Sequence, residues 1–449
     1  MLFLALGSLL SALFLSSYRQ RKPTLEEFFL MGRSLGLPLF AVSLVSSSYT
    51  GFGFAADSLD RVDLSHFWIR CAGITSAFLI YIFLIAPRLR KFSAMSIPDL
   101  VRGLYGRRSA KIAALLNLFS MLPILYAVFL GMILQSLFGG EFYENVLAGL
   151  VIAGFYSAIG GLRSDIYADA VKFIFMITSL GVLFLFTSAH SSGLQLADEV
   201  EIATFSSFWG YDFLSSYFLS CLIGVSLIFV DPIIFQRVMA AKSERVLRYG
   251  LLLGLLFWVL MDYLLFSSLQ VAKASFPDQS GFSALSAWAS QMLPPGAQAL
   301  FWVGVLASLL AMMDSYLLVA GTSLTFDIGS RRHGGVNTHR AGILGVSLGS
   351  FLFALVYRPS MEVFWRSIGV FWAGALVTPL LLPLFMKRRF PGYSFVVSIC
   401  ASFFLMMVTY GLSAAPLMIF ISGVIGSSIT FLGFWIFEVW RRVRLKRAG

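Results

Sequence analysis

Apolar residues come in blocks of about 20, separated by short polar breaks, along the whole chain. A helix of that length spans the hydrocarbon layer of a bilayer at about 1.5 Å per residue. The blocks predict helices near 1–18, 36–57, 67–87, 110–136, 142–161, 165–188, 209–230, 247–271, 298–325, 341–357, 362–386, 393–412 and 414–440. The fold class expected is therefore an all-α polytopic membrane protein with about 13 transmembrane helices, one integral-membrane domain over residues 1–449. Composition agrees: 58% of the 449 residues are hydrophobic and 12% are charged, a balance that needs lipid as solvent.

Charge sets the orientation. The net charge of +11 does not gather into a nucleic-acid patch. Instead, 27 of the 33 Lys and Arg fall in alternate breaks (19–35, 88–111, 162–164, 231–248, 326–340, 387–389 and from 441), while the other breaks hold Arg61, Lys273 and Arg358. Basic loops stay on the cytoplasmic side, so the N-terminus is expected outside and the C-terminus in the cytoplasm of an inner (plasma) membrane. The first block has no basic residue ahead of it and Arg19, Arg21 and Lys22 behind it, the order of an anchor rather than a cleaved leader. Cys71, Cys221 and Cys400 sit in apolar blocks without paired spacing, as packing residues do.

Two blocks read as weak helices. The second contains Ser46, Ser47, Ser48, Tyr49, Thr50, Gly51, Phe52 and Gly53; the seventh contains Ser220, Cys221, Gly224 and Ser226 ahead of Asp231-Pro232. Interrupted helices in corresponding halves free backbone groups that bind ions or substrate near the midplane, although small residues also serve close helix packing.

Five stretches, in order, then carry a resemblance. They are Glu26 to Gly36 (EEFFLMGRSLG), Ser96-Ile97-Pro98-Asp99-Leu100 with Leu104-Tyr105-Gly106, and Gly160-Gly161-Leu162 followed by Asp169. Gln236 to Ser243 (QRVMAAKS) and Leu306 to Ile328, with Asp314-Ser315 and Thr325-Phe326-Asp327-Ile328, complete the set. Together they resemble the sodium:solute symporter family. The resemblance implies a LeuT-type inverted repeat of five plus five helices, helices 2–6 and 7–11, with core repeats at about 36–188 and 209–386 and helices 1, 12 and 13 peripheral. It implies a secondary active transporter, symporter-like and working by alternating access, whose partners are a small organic solute and the lipid bilayer. No nucleic acid and no obligate protein partner are expected, and no cofactor beyond sodium or a proton as coupling ion.

The family's sodium site is built from backbone carbonyls of the broken second helix and from a carbonyl and two hydroxyls on the ninth. By resemblance these positions are Ser46, Tyr49, Ser308, Ala311 and Met312, and the last two offer no side-chain oxygen. A hard cation needs several oxygens to replace its water, so the site reads as degenerate. A second register brings in Ser308 and Ser315, with Asp314 one turn away. Where the family has Gln three residues after its Asp, this chain has Lys172 after Asp169. Two readings stay open: an ammonium tethered in place of the ion, able to carry a proton, or a lysine that snorkels to the cytoplasmic face or pairs statically with Asp169.

Other candidates follow the same logic. Asp169, Lys172, Asp231, Asp314 and Ser315 are coupling or gating candidates, and Ser47, Ser48, Thr50, Gly51, Phe52, Phe229 and Trp372 are candidates for the substrate cavity. Arg70, Asp262 and Arg366 are further charges within or near the ends of apolar blocks and so functional candidates; Arg70 and Arg366, toward the outer ends, either attract an anionic substrate or reach the headgroups. His66, His190, His333 and His339 map to loops and no nucleophile or metal motif is present, so an enzyme is not expected. The alternative function is a transport-inactive sensor or scaffold that retains the symporter fold.

Overall fold

The computed structural model describes residues 24–49, 52–60, 64–191, 221–222, 224–329, 335–356, 370–386, 390–412 and 416–448. The predicted first helix, residues 209–220 of the seventh, and Thr50, Gly51, His333 and Arg366 lie outside these.

The chain enters through a short helix rather than a loop. The Thr24 hydroxyl accepts the Glu27 amide and caps α1 (Leu25–Leu30), whose Phe28, Phe29 and Leu30 are buried. Leu35 then pairs with the far half of the molecule: its amide donates to Ala240 O at 3.1 Å and its carbonyl accepts from Lys242 at 2.9 Å. The Arg33 guanidinium reinforces the junction, reaching Glu26, Ser93 O and Met239 O. This clip explains why the segments Glu26–Gly36 and Gln236–Ser243 both stand out in the sequence: they are two sides of one seam.

The predicted second helix is broken as its composition implies. α2 (Leu37–Ser48) ends where Tyr49 turns extended (φ −76°, ψ 109°), and α3 (Phe52–Leu59) resumes after the gap. Ser47 and Ser48 turn their hydroxyls back onto the carbonyls of Ser43 and Leu44, competing with the helix ladder just before the break. α4 (Leu64–Ile80) runs through a widened turn at Tyr81–Ile85 into Ala86–Arg90. The connecting α5 (Ile97–Tyr105) is capped by Ser96, whose hydroxyl accepts the Asp99 amide, and stops at Gly106. The predicted fourth helix divides at Pro123 into α6 (Arg107–Ser120) and α7 (Ile124–Phe138).

The fifth and sixth predicted helices have no loop between them. They form α8 (Phe142–Ser191), 50 residues long, with a sharp bend at Gly161 (φ 60°, ψ −148°). A Cβ at that glycine would stand 2.4 Å from the carbonyl oxygen of Phe28, so neither the backbone geometry nor the space admits another residue. The second half continues through helical residues 224–230 and α9 (Pro232–Ala240) to α10 (Glu244–Ser275). α11 (Gly281–Met292), α12 (Pro295–Thr322, running on to Ile328), α13 (Val336–Val356) and α14 (Val370–Met386) follow. α15 (Gly392–Gly411) and α16 (Pro416–Ala448) pair with each other and with α14.

Among the described residues, eight helical stretches are long and apolar enough to cross a membrane. α12 is the central one, with its whole apolar window buried against α8, α13, α2 and α7. Its approach to α8 is close: a Cβ on Gly304 would meet Ser179 Cβ at 2.3 Å. One expectation is corrected here. His66, His190 and His339 lie within α4, α8 and α13 rather than in loops, and His339 is buried with Nδ1 2.6 Å from the Thr325 hydroxyl.

Candidate functional site

Bending α8 at Gly161 sends its second arm inward with Asp165, Asp169 and Lys172 at spacings of four and three, one face of a helix. That face meets α12 at Asp314 and Ser315, α2 at Ser43 and α9 at Arg237. All eight side chains of the resulting cluster, Tyr156 included, are buried.

Two cations organise it. Lys172 Nζ makes a close ion pair with Asp314 Oδ2, stands 3.3 Å from Asp169 Oδ1, and lies 3.4 Å from the Tyr156 hydroxyl. Tyr156 in turn donates to Asp314 Oδ2, and the ammonium sits 5.4 Å from its ring centre. Arg237 Nη2 reaches Asp165 Oδ2 at 2.9 Å, Asp169 Oδ2 at 2.8 Å and the Ser315 hydroxyl at 3.1 Å, while Nε donates to the Ser43 hydroxyl at 2.9 Å. Ser43 passes the contact on, donating to Asp169 Oδ2 at 2.7 Å. Ser315 donates to Asp165 Oδ2 at 3.1 Å, and its amide is held by Asp314 Oδ1 at 2.9 Å. One network thus ties both arms of α8 to α2, α9 and α12.

Lys172 therefore does not snorkel. Its side chain is fully buried and its ammonium is spent on Asp314 and Asp169. A lysine that turned out of the cluster would leave Asp314 without the cation it is paired with, which inside a protein costs several kcal/mol.

Two of the positions that resemble the family's sodium site offer an ion no side-chain oxygen. Ala311 and Met312 are buried on α12 and present carbon and sulfur only. The Ser308 hydroxyl already accepts the Phe52 amide at 3.3 Å and donates to Val305 O at 2.7 Å. Ser46 is buried with its hydroxyl toward Met176 Sδ, and Tyr49 supplies the extended residue at the break. The second register is not assembled as an oxygen cage either, because Ser315 is turned to Asp165 and Arg237, away from Ser308.

The remaining candidates are dispersed. Asp231 caps α9, its Oδ1 accepting the amides of Ile233 and Ile234 at 2.7 and 3.0 Å. Ser47, Ser48 and Phe52 are buried on either side of the break, Phe229 is buried ahead of α9, and Trp372 is half-buried on α14. Asp262 on α10 is buried beside Tyr49 and Arg70. Lys273, at the end of α10, pairs with Asp60.

Sequence reasoning missed Asp165, Arg237, Tyr156 and Ser43. Asp165 was findable, standing one helical turn before Asp169 in a block that should avoid charge. Arg237 lay inside a recognised motif without a role. Tyr156 and Ser43 carried no signal, because one tyrosine or serine among 16 Tyr and many Ser in apolar helices says nothing of its neighbours.

Residues 28–390 match the family model described as Sodium:solute symporter family. The chain belongs to the sodium:solute symporter family. A relative, the sodium/proline symporter of Staphylococcus aureus (strain bovine RF122 / ET3-1), is 23% identical over 399 residues, covering 81% of this chain and 76% of the relative. Among solved structures, a Na+-coupled sialic acid symporter in a substrate-bound outward-open state superposes with a TM-score of 0.78 at 15% identity, covering 96% of this chain and 98% of that one. A nucleobase-cation-symport-1 family transporter in a closed conformation gives 0.61 at 14% identity, covering 91% and 94%. These likenesses establish the helical, LeuT-type inverted-repeat fold. As a family member the protein is a multi-pass membrane transporter of the secondary active type, and not an enzyme.

Proposed function

We propose that this symporter-family member moves a small organic solute across the cell's inner membrane by alternating access, with the Lys172 ammonium standing where its relatives depend on sodium. The observation that carries this reading is the buried Lys172–Asp314–Asp169 group beside a sodium position that has lost two of its oxygens. A fixed cation on the α8 face supplies a positive charge against α12, next to the α2–α12 position that a bound ion would take, and it does so without dissociating.

The break after α2 interrupts one apolar block, the kind of interruption whose freed backbone groups can hold a solute, and this supports Tyr49, Phe52 and the neighbouring serines as cavity residues. The sodium/proline relative makes small amino acids the first solutes to try. The orientation with the C-terminus in the cytoplasm follows from the basic loops.

The test is uptake by the purified full-length chain in proteoliposomes, across a panel of amino acids and other small nutrients, with sodium replaced by an organic cation on both sides. Uptake that proceeds equally without sodium is expected. Saturable dependence on external sodium would overturn the reading, and absence of uptake or solute-induced thermal stabilisation across the panel would favour the sensor alternative.

A further inference from the structure

The cluster is one positive charge short. Asp165, Asp169 and Asp314 bring three carboxylates with ligand oxygens within 4.8 Å of one another, and Lys172 and Arg237 bring two cations. Of the groups packed around them, Tyr156 from the first arm of α8 and Ser43 from α2 are neutral hydroxyls, and Ser315 from α12 is likewise neutral. Asp231, on the same short helix as Arg237, is committed to the N-terminal amides of α9, where the helix end balances its charge. The buried set therefore carries a net charge of −1 when every carboxylate is ionised, a state that costs several kcal/mol in a dry interior.

The oxygens show where the missing charge goes. Asp314 Oδ1 accepts the Ser315 amide, Asp314 Oδ2 accepts Lys172 and Tyr156, and both oxygens of Asp165 face Ser315. Asp169 Oδ2 accepts Ser43 and Arg237. Asp169 Oδ1 is fully buried and has no hydrogen-bond partner among the described residues; it stands 3.3 Å from Lys172 Nζ without hydrogen-bond geometry.

We infer that the carboxylate cluster is a proton site, with one exchangeable proton resident on Asp169 Oδ1, and that this proton is the coupling ion of the transport cycle. A metal cation fits poorly here, since it needs several free oxygens and would abut an ammonium and a guanidinium. A proton needs little space, displaces none of the hydrogen bonds named above and brings the set to neutrality, while weakening the 3.3 Å contact of Asp169 Oδ1 with Lys172, whose ammonium keeps Asp314. It also changes the mechanics. With Asp169 neutral, Arg237 keeps a charged partner only in Asp165, and its hold between α9 and α8 weakens; with Asp169 ionised, both carboxylates clamp the guanidinium. Proton arrival thus loosens α9, the element clipped to Leu35 at the seam, and proton release closes it again. The coupling role rests on the transporter reading; the proton site does not.

The test is infrared spectroscopy of the full-length protein in lipid, where a protonated carboxyl has a carbonyl band distinct from that of a carboxylate and shifts in deuterium oxide. Asp169→Asn leaves two carboxylates against two cations, so one carboxyl's share of the band is expected to vanish. Lys172→Met leaves three against one, so the cluster's share is expected to rise about twofold by charge balance. A band unchanged by Asp169→Asn would overturn the proposal, as would its removal by sodium at constant pH, which would mark a metal-cation site. The isosteric Asp169→Asn variant decides the matter even where Lys172→Met fails to fold. Solute uptake that ignores an imposed pH gradient while the Asp169-dependent band is present would remove the coupling role and leave the site. Sodium-dependent uptake with that band present would strike the function proposed above instead.

Discussion

Replacing Lys172 by Met tests the charge cluster at its most exposed point of logic. The substitution keeps the apolar stem and removes an ammonium that contacts Asp314 and Asp169, all three side chains being fully buried. Two unit charges at about 4 Å attract by about 4 kcal/mol at an effective dielectric of 20. Removing one partner of a buried pair and stranding the other typically costs about 3–5 kcal/mol. The folded variant can recover part of this by binding one proton more than the wild type does. The sign follows: the folded state then holds an extra proton that the unfolded chain lacks above the carboxylate range, so stability falls as pH rises. Linkage gives a slope steeper than wild type by about 1.4 kcal/mol per pH unit. The assay is denaturant or thermal unfolding in detergent across neutral pH, with Lys172→Met, Asp314→Asn and the double variant forming a cycle. The double variant should be less damaged than the sum of the singles, with a coupling of about 1–3 kcal/mol. A loss under about 1 kcal/mol with an unchanged pH slope is what a solvated lysine would give, and it would refute the buried cluster.

Three further outcomes follow from other parts of the molecule. Gly161→Ala should destabilise by at least about 1–3 kcal/mol, read as a lowered melting temperature, because it forces a positive φ and drives a Cβ onto the Phe28 carbonyl; a neutral result would mean that the bend is not as described. Ser43→Ala removes a donor to Asp169 and an acceptor for Arg237, and about 1–3 kcal/mol of stability should go with it; the same loss in an Arg237→Gln background would show that the three groups do not act together. The double substitution Ala311→Ser/Met312→Ser restores hydroxyls at the family's sodium positions, and sodium, but not an organic cation, should then raise the melting temperature, by about 2.7 kcal/mol of stabilisation at a hundredfold excess over Kd. Equal response of parent and variant to sodium would show that those hydroxyls are not what the site lacks.

The helical, membrane-spanning fold was legible because it depends on a property that accumulates along the chain. Blocks of about 20 apolar residues have one stable solution in lipid, and alternating basic loops orient it. The break at Ser48 was legible too, since serines that back-bond to their own helix and a following glycine weaken it locally. The bend at Gly161 was not read as such. A glycine pair at the end of an apolar block suggests a loop, whereas the chain stays helical and only reverses direction against the Phe28 carbonyl, a contact 133 residues away in sequence.

What the sequence determined alone was the solvent, the kinship with sodium:solute symporters and the loss of two oxygens at Ala311 and Met312, all of them properties of residues taken singly or of their near neighbours. What tertiary structure decided was the fate of the charges. Lys172 reads equally well as snorkelling or buried until α12 brings Asp314 against it, and Arg237 reads as one more cytoplasmic arginine until α9 folds under α8. Electrostatic energy in a dry interior depends on distances between groups from different helices, and those distances exist only once the helices have packed.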